Sequence, residues 1–308
     1  MSMHRISSIT LGVPDLDATA EFYTDFGLTP LGDHRFATLD GGEQLKLAYS
    51  PVRRLLEYGV GVDDPDDIRS ASSRLSRMDV QHTASDEGLA VFDEGSGVTI
   101  SMTPTARYAP SPAETPEYNA PGEVVRHNER APGSTREGLV RPRKLGHVVL
   151  GTTDIERTEQ IVLEGLGFKI SDTIRNVGHF VRCSTDHHNL MVQRAPFRFM
   201  HHTSWQVDDI DEVGRGAARM LEADPERHVW GLGRHNVGGN FFWYLKDPAG
   251  NFAEYYSDLD VIDDDEAWRP EVFGGRHSLA AWGPHMPPSF LKPEDLGALM
   301  SGMHSERV

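Results

Sequence analysis

The chain has 308 residues, 38% hydrophobic and 25% charged, which is the composition of a soluble globular protein long enough for two domains. Its 47 acidic and 30 basic side chains give a formal charge of −17, which argues against nucleic acid as a partner because phosphate binding needs a basic surface. A single cysteine, Cys183, excludes an intrachain disulfide, and the lack of a long apolar run or a signal-peptide pattern leads us to expect a cytoplasmic protein without a membrane span.

Residues 1–104 are predicted to form a compact module in which strands and helices recur. We expect one helix that begins at residues 14–17, with Leu16, Ala20 and Tyr23 at helical spacing, and a second helix over residues 65–77. The expected strands are 6–11, 37–39, 45–49, 58–62, 89–92 and 97–102.

Residues 105–142 differ from the module before them. They contain six prolines and many charged or amide side chains, so they have little apolar surface to bury. We interpret them as an extended connector on the surface rather than a domain. A connector this long is usually functional or packed against another surface, and a neighbouring subunit is one candidate.

Residues 145–257 repeat the first module, with Leu, Gly and Asp recurring at an offset of 139 positions. Their first helix is expected to start with a capping box of Thr153 and Glu156 and to end at Gly165 or Gly167. The repeat indicates an α+β fold built from a duplicated strand-helix-strand-strand-strand unit. Sheets of this kind curl into a half-open barrel, and paired units enclose a cavity.

The stretch 233–254 predicts a β-hairpin. A Pro-x-Gly turn at residues 248–250 separates two apolar runs, the first of them strongly aromatic. A hairpin that folds about residue 249 places Tyr244 directly opposite Glu254, about 5 Å away. A phenol and a carboxylate this close, with His235 nearby, indicate a functional site.

The same stretch resembles the signature of the type I extradiol ring-cleaving dioxygenases of the vicinal oxygen chelate superfamily. The matching positions are Gly233-x-His235, Tyr244, Asp247-Pro248-x-Gly250 and Glu254, whereas Trp243 stands where a smaller apolar residue is usual. The resemblance implies a glyoxalase-like fold of two domains, each of two βαβββ units, with only the second domain catalytic. It also implies an oxidoreductase, often a homo-oligomer, that cleaves a catechol with O2 at one Fe(II) or Mn(II) in aromatic-compound degradation.

Three side chains are the expected metal ligands: His147, His202 and Glu254. Two imidazoles and a carboxylate on one face of a divalent ion leave the opposite face open for substrate and O2, as in non-haem Fe(II) oxygenases. His202 is preferred to His201 because adjacent strand residues face opposite ways and because relatives with this pair use the second histidine.

The first copy provides an internal comparison. The positions of the three ligands fall there at about Ser8, Glu57 and Ser101, which do not preserve the ligand types. We therefore expect the first domain to be non-catalytic. This also weakens a glyoxalase-like interpretation, since those enzymes draw four ligands from paired modules.

The resemblance also implies roles for residues around the metal. His188, with His187 as the fallback, is expected beside dioxygen, where it transfers protons. Tyr244 is expected to hydrogen-bond a substrate hydroxyl and help to remove its proton, and His235 to orient the substrate oxygens. Phe180 is expected against the substrate ring. The alternatives are a solvated turn for His188 and an ordinary core position for Phe180.

Residues 258–308 resemble a segment that covers the pocket in many relatives, the alternative being a Pro-rich tail packed on the exterior. Relatives that act on ring-carboxylated catechols carry arginines where this chain has Ala280-Ala281 and Trp230. We therefore expect an uncharged, aryl- or alkyl-substituted catechol, with Arg276 and Arg234 as the remaining candidates to bind a carboxylate.

The expected organisation is a non-catalytic domain over 1–104, a connector over 105–142, a catalytic domain over 143–257 and a covering tail over 258–308. Two other functions are kept open. One is a metal-dependent isomerase or lyase of the same superfamily that needs no O2. The other is a binding or sequestering protein, which is disfavoured because a sequestering cavity needs no proton-transfer groups.

Overall fold

The computed structural model describes residues 3–113, 117–274 and 279–305. Strands from the two halves of the chain form two separate sheets, so the fold is α+β with a duplicated architecture. None of the helices within these ranges is long and apolar enough to cross a membrane.

The first sheet has the strand order β2-β3-β4-β1-β5-β8-β7-β6. Its strands are β1 (Met3–Val13), β2 (Thr29–Gly32), β3 (Arg35–Thr38), β4 (Gly42–Tyr49), β5 (Arg54–Val62), β6 (His82–Ser85), β7 (Gly88–Asp93) and β8 (Val98–Pro104). Helix α1 (Leu16–Asp25) follows β1, and helix α2 (Pro65–Arg77) follows β5. Within each unit the last strand runs parallel to the first, and the two units meet where β1 and β5 pair antiparallel.

Both predicted helices of this half are confirmed, and each begins after an aspartate that caps it. Asp15 accepts a hydrogen bond from the Ala18 amide, and Asp64 accepts one from the Asp66 amide. Strands β2 and β6 were not predicted. They lie at the two edges of the sheet, and their mostly exposed side chains give no apolar alternation to detect.

The second sheet has the order β17-β10-β11-β12-β9-β13-β16-β15-β14-β18, which repeats that of the first sheet and adds one short strand at each edge. Its strands are β9 (Lys144–Thr152), β10 (Lys169–Ile174), β11 (Gly178–Arg182), β12 (Leu190–Arg194), β13 (Phe199–Gln206), β14 (His228–His235), β15 (Phe241–Lys246), β16 (Phe252–Ser257), β17 (Val272–Phe273) and β18 (Ala280–Trp282). The remaining helices are α3 (Pro132–Thr135), α4 (Ile155–Glu159), α5 (Ile210–Ala223), α6 (Pro288–Leu291) and α7 (Leu296–Ser305). A π-helical stretch, Gln160–Leu166, extends α4, and a 3-10 turn, Pro225–Arg227, follows α5.

The predicted capping box at the start of α4 is wrong. The cap is Asp154, whose carboxylate accepts a hydrogen bond from the Arg157 amide at 3.0 Å. The Thr153 hydroxyl instead donates to the Gly95 carbonyl of the first half, so a long-range contact removes it from the cap. The helical segment does end at Gly167, which has a φ of 96°.

The strand register of the second sheet places the candidate ligands together. Ser204 of β13 is the direct partner of both His147 on β9 and Glu254 on β16. His202 lies two residues before Ser204 and therefore on the same face of β13. The three candidate ligands thus lie on three neighbouring strands at the centre of the sheet.

The first sheet has the same register with different side chains. Gly59 of β5 is the direct partner of both Ser8 and Ser101, and Glu57 lies two residues before it. The correspondence of Ser8, Glu57 and Ser101 with the three candidate ligands is therefore confirmed. The Ser101 hydroxyl donates to Glu57 Oε1 at 2.7 Å, so a hydrogen bond between side chains occupies the equivalent place.

The two halves pack through one continuous apolar core. The rings of Phe26 and Tyr255 stack with their centroids 3.9 Å apart, and the Tyr255 hydroxyl donates to the Phe26 carbonyl. Tyr23 of α1 also contacts the ring of Trp205. The first half thus supports the strands that carry the candidate site from behind.

Candidate metal centre

The hairpin that carries Glu254 folds as predicted. Tyr244 and Glu254 are direct cross-strand partners, and the two strands meet at a turn over 247–251. The Asp247 amide donates to the Asn251 carbonyl at 2.9 Å, and Gly250 has a φ of 92°, a conformation that favours glycine. Residue 249 is therefore the centre of the hairpin.

His147, His202 and Glu254 converge on one point. Nε2 of His147 lies 3.2 Å from Glu254 Oε2, Nε2 of His202 lies 3.5 Å from the same oxygen, and the two nitrogens are 3.4 Å apart. All three side chains are buried, and their potential ligand atoms lie within 4.8 Å of one another. The arrangement has the donor set and spacing of a site for one divalent cation.

The carboxylate of Glu254 makes the case for a cation stronger. Its Oε1 accepts a hydrogen bond from Asn240 Nδ2 at 3.2 Å, but Oε2 is buried and receives no hydrogen bond from the described residues. Burial acts to raise the pKa of Glu254, yet the neighbouring imidazoles of His147, His235 and His202 outweigh it and hold this pKa well below its usual value. An ionised, fully buried carboxylate oxygen is costly unless a positive charge compensates it, and a bound metal supplies that charge.

A second histidine fixes the orientation of His202. Nε2 of His201 donates to the Phe290 carbonyl at 2.6 Å, and Nδ1 of His201 lies 2.7 Å from Nδ1 of His202. A carbonyl only accepts, so His201 carries its proton on Nε2 and accepts at Nδ1 from the Nδ1–H of His202. Nε2 of His202 is then unprotonated and available as a ligand, which is the tautomer that a metal requires.

Burial keeps both of these imidazoles neutral. It lowers the pKa of His201 to about 4, and it lowers the pKa of His202 well below the usual value, with the neighbouring His201 adding to the effect. Neutral imidazole is the form that binds metal. Strand alternation places His201 against Phe290 and His202 against His147, as the sequence argument expected.

His188 lies beside the three ligands. Its ring centroid is 4.2 Å from that of His147, and the Phe180 ring meets it edge-on at 4.8 Å. Burial, with the nearby His147 and His187, holds the pKa of His188 well below its usual value. Because His188 is buried and lines the cavity, the alternative of a solvated turn histidine is wrong. The fallback, His187, points instead toward Asp172.

Tyr244 and His235 are hydrogen-bonded to each other. Nδ1–H of His235 donates to the Leu279 carbonyl at 2.6 Å, so in the neutral ring Nε2 accepts from the Tyr244 hydroxyl, 2.8 Å away. Burial and the charge of Glu254 raise the pKa of Tyr244 well above its usual value. The phenol therefore stays protonated and remains a hydrogen-bond donor.

A cavity of about 760 Å³ opens beside the ligands. Besides histidines and Tyr244, its lining is mostly apolar, and the described lining contains no Asp, Glu, Lys or Arg. The apolar lining residues near His188 are Val149, Ile174, Val177, Phe180, Met191 and Val237. The tail contributes the far wall through residues 279–286 and 290–291. These mostly apolar walls are the property expected for an uncharged substrate.

Arg234, one of the two arginines considered for a substrate carboxylate, does not line this cavity. Arg234 pairs with Asp258 at 2.7 Å and lies over the Phe241 ring. Arg276 lies outside the described residues. Trp230, at the position where relatives carry an arginine, is buried parallel to the Tyr244 ring and donates from its indole nitrogen to the Pro284 carbonyl.

Sequence reasoning missed three groups that support the site. They are the Asn240 amide, the Asp172 carboxylate and the Phe290 carbonyl. Asn240 lies inside the signature stretch, so the register of the hairpin could have predicted that it lies close to Glu254. Asp172 and the Phe290 carbonyl have no local signal, because their partners are 15 and 89 residues away in the chain.

Known proteins resemble this chain over nearly its whole length. A family model described as the Glyoxalase/Bleomycin resistance protein/Dioxygenase superfamily matches residues 5–108 and 144–255. Metapyrocatechase 2 of Cupriavidus necator is 32% identical over 314 aligned positions, which cover 94% of this chain and 92% of the relative.

Two shorter matches carry metals in their names. An iron-dependent extradiol dioxygenase of Rhodococcus jostii is 30% identical over 45% of this chain and 50% of its own length. A manganese-dependent 2,3-dihydroxybiphenyl 1,2-dioxygenase of Geobacillus genomosp. 3 is 28% identical over 48% of this chain and 51% of its own length. Among solved structures, BphC, a halotolerant catechol dioxygenase, shares the fold with a TM-score of 0.71 and 20% identity, over 93% of this chain and 97% of that one.

Proposed function

Because the chain belongs to the glyoxalase/bleomycin resistance protein/dioxygenase superfamily, and within it to the type I extradiol dioxygenases, we propose that it cleaves the ring of a substituted catechol with O2 in aromatic-compound degradation. It is an oxidoreductase that incorporates both atoms of O2 into its product. The metal is Fe(II), with Mn(II) as the alternative, in agreement with the iron- and manganese-dependent relatives.

The observation that carries this proposal is the convergence of His147, His202 and Glu254 around a buried carboxylate oxygen that accepts no hydrogen bond from the described residues. These three residues would hold the metal on one face. When bound, the metal would lower the pKa of a coordinated catechol and bring the electron-rich ring and O2 together. The cavity beside the triad supplies the room for both reactants.

The surrounding side chains move and hold protons. His188 lines the cavity, and its Nε2 has no hydrogen-bond partner among the described residues. This nitrogen accepts a proton from a catechol hydroxyl and later returns it to the reacting oxygen. The Tyr244 hydroxyl donates its one proton to His235 Nε2, so its oxygen accepts a hydrogen bond from a substrate hydroxyl and helps to remove the proton of that hydroxyl. His235, held by the Leu279 carbonyl, fixes the direction of the phenol. The Phe180 ring packs against the substrate ring.

The walls of the cavity define the substrate class. An uncharged catechol with an aryl or alkyl substituent fits a pocket lined by apolar side chains, whereas a carboxylate would be buried without a described cation to pair with it. A volume of about 760 Å³ also exceeds what a bare catechol needs, and it lies within the range of small-molecule sites.

The domain organisation proposed from the sequence assigns these roles to parts of the chain. Residues 1–104 form the non-catalytic domain, 105–142 the connector, 143–257 the catalytic domain and 258–308 the tail that covers the pocket. The active form is proposed to be a homo-oligomer in the cytoplasm, because the chain has an acidic surface, a single buried cysteine and an exposed connector.

The test is reconstitution of the metal-free protein under anaerobic conditions with Fe(II) or Mn(II), followed by a panel of substituted catechols. We expect O2 uptake to match the appearance of a yellow ring-opened product, with aryl- and alkyl-substituted catechols preferred over carboxylated ones. Glu254→Gln is the matched control, because it keeps the shape of the site and removes its charge.

Two outcomes would overturn the proposal. Turnover without O2 after loading with Zn(II), Ni(II) or Co(II) would indicate an isomerase or lyase. Tight binding of catechols with neither O2 uptake nor product formation would indicate a sequestering protein.

A further inference from the structure

Two pairs of adjacent histidines adjoin the site, and they share one contact. In each pair the Nδ1 atom of the inner ring, His202 or His188, lies close to the Nδ1 atom of the outer ring, His201 or His187. Both inner rings line the cavity, as does His201, whereas His187 is not among the described lining residues. The Nδ1–Nδ1 distance is 2.7 Å for the pair of His201 and His202 and 3.0 Å for the pair of His187 and His188. In the first pair the outer ring leaves the inner Nε2 free to bind metal.

The outer ring of the second pair is held by a carboxylate. Nε2 of His187 lies 2.9 Å from Asp172 Oδ2, and the Glu271 amide donates to Asp172 Oδ1 at 2.7 Å. His187 and Asp172 are buried, and the Trp268 ring packs edge-on against His187 from the tail side. The carboxylate is thus engaged at both oxygens and held against the imidazole.

This chain of contacts determines which nitrogen of His188 carries the proton. An ionised Asp172 only accepts, so His187 donates from Nε2 and, in its neutral form, accepts at Nδ1. His188 must then donate from Nδ1, and its Nε2 is left with a free lone pair. That lone pair is the group that a proton acceptor needs, and it lies at the end of the ring opposite His187.

We propose that Asp172 and His187 are positioning residues that lock His188 in the tautomer able to accept the substrate proton. The proposal rests on the proposed function, in which His188 transfers that proton. A carboxylate behind a catalytic histidine plays this part in serine proteases, where replacing the aspartate by asparagine leaves the geometry intact and lowers kcat by about 10⁴.

Asp172→Asn is the decisive variant, because the backbone dictates how the new side-chain amide sits. The Glu271 amide can only donate, so the introduced asparagine turns its oxygen toward Glu271 and its NH2 toward His187. His187 then accepts at Nε2 and donates from Nδ1, and His188 must carry its proton on Nε2. The variant therefore reverses both tautomers without changing the shape of the site.

The first measurement does not depend on activity. Nitrogen-15 spectra of selectively labelled histidines in the metal-free protein report which ring nitrogen of His188 is protonated. We expect Nδ1–H in the wild type and Nε2–H in Asp172→Asn. A wild-type ring protonated on Nε2, or a variant with an unchanged tautomer, would overturn the proposal whether or not the protein is a dioxygenase.

The second measurement is a double-mutant cycle on the Fe(II)-loaded protein. We expect Asp172→Asn to lower kcat at least about 10-fold, with KM for the catechol nearly unchanged and the metal content unaltered. In a His188→Asn background the same substitution should not lower kcat further, because Asp172 is proposed to affect the reaction only by setting the tautomer of His188. An equal loss in both backgrounds would mean that Asp172 has only a structural role.

His179→Asn is the matched control. His179 lies on the same strand pair as Asp172, is hydrogen-bonded to Thr173 at 2.8 Å and pairs with Glu159, but it does not line the cavity. It should leave kcat unchanged. A loss equal to that of Asp172→Asn would show that any polar change in this region impairs the enzyme and would overturn the assignment.

Discussion

Asp295→Asn should loosen the tail over the cavity. Arg53, from the first half of the chain, forms a two-pronged ion pair with Asp295, with distances of 2.6 and 2.9 Å. Arg53 is 5% exposed and Asp295 is 32% exposed, so solvent screens the pair only in part. Arg53 also donates to the Met200 carbonyl, so it links the first half of the chain, the strand of His202 and the tail.

The size of the effect follows from the bonds that are lost. Hydrogen bonds to charged groups contribute about 1.5–3 kcal/mol each, and the partial exposure of Asp295 reduces the pair to about 2 kcal/mol. That free energy is about a 30-fold change in the equilibrium between docked and undocked tail. Asparagine retains one acceptor but loses the charge, so most of this change should be observed.

Hydrogen exchange followed by mass spectrometry measures this equilibrium directly. Amides of residues 288–300 should exchange about 10- to 30-fold faster in Asp295→Asn, whereas amides of β1 should not change. Glu294→Gln is the matched control, because Glu294 is 72% exposed and its pair with Lys246 at 3.4 Å should contribute almost nothing. Equal exchange in the two variants would refute the idea that the Arg53 pair holds the tail.

Three further outcomes are expected. Glu254→Gln should lower metal affinity more than about 100-fold, measured as metal retained after dialysis. Without metal, the variant should have a Tm no lower than that of the metal-free wild type, because the substitution removes a buried charge whose Oε2 accepts no hydrogen bond from the described residues. Burial raises the pKa of Asp247 to about 6, so the native state binds a proton that the unfolded state releases, and the free energy of unfolding falls as pH rises from about 4 to 6. In urea titrations over this pH range, the wild type should lose up to about 3 kcal/mol relative to Asp247→Asn. A difference that stays constant with pH would contradict this. Ala281→Arg, at the cavity wall, should raise kcat/KM for carboxylated catechols about 10-fold and lower it for aryl-substituted ones, and no change in the ratio would mean that the tail does not select the substrate.

Prediction from sequence succeeded where a contact is set by short-range geometry. The Pro-x-Gly turn determines the register of the hairpin, so the pairing of Tyr244 with Glu254 follows from counting outward from residue 249. The duplication then determines which residues correspond, because equal registers place Ser8 where the second copy has His147. The α1 and α2 boundaries were predictable for the same reason, since caps and apolar spacing are local.

Other features depend on partners that are distant in the chain. Thr153 carries the local pattern of a cap, yet its hydroxyl is taken by Gly95, 58 residues away. The edge strands β2 and β6 have mostly exposed side chains, so their sequences lack the alternation of apolar and polar residues that predicts a strand. Local patterns cannot anticipate such cases, because they contain no information about what packs against them.

The sequence by itself predicted the donor set of the candidate site, because residue type and strand position select two imidazoles and a carboxylate, and these side chains do converge in the structure. Only the tertiary structure decided how each imidazole is held. Asp172 and the carbonyls of Leu279 and Phe290 set the protonated nitrogen of His187, His235 and His201, and two of these three acceptors are backbone atoms that every residue possesses. Which backbone carbonyls accept these hydrogen bonds depends on where the tail crosses the sheet, and that is a property of the folded chain.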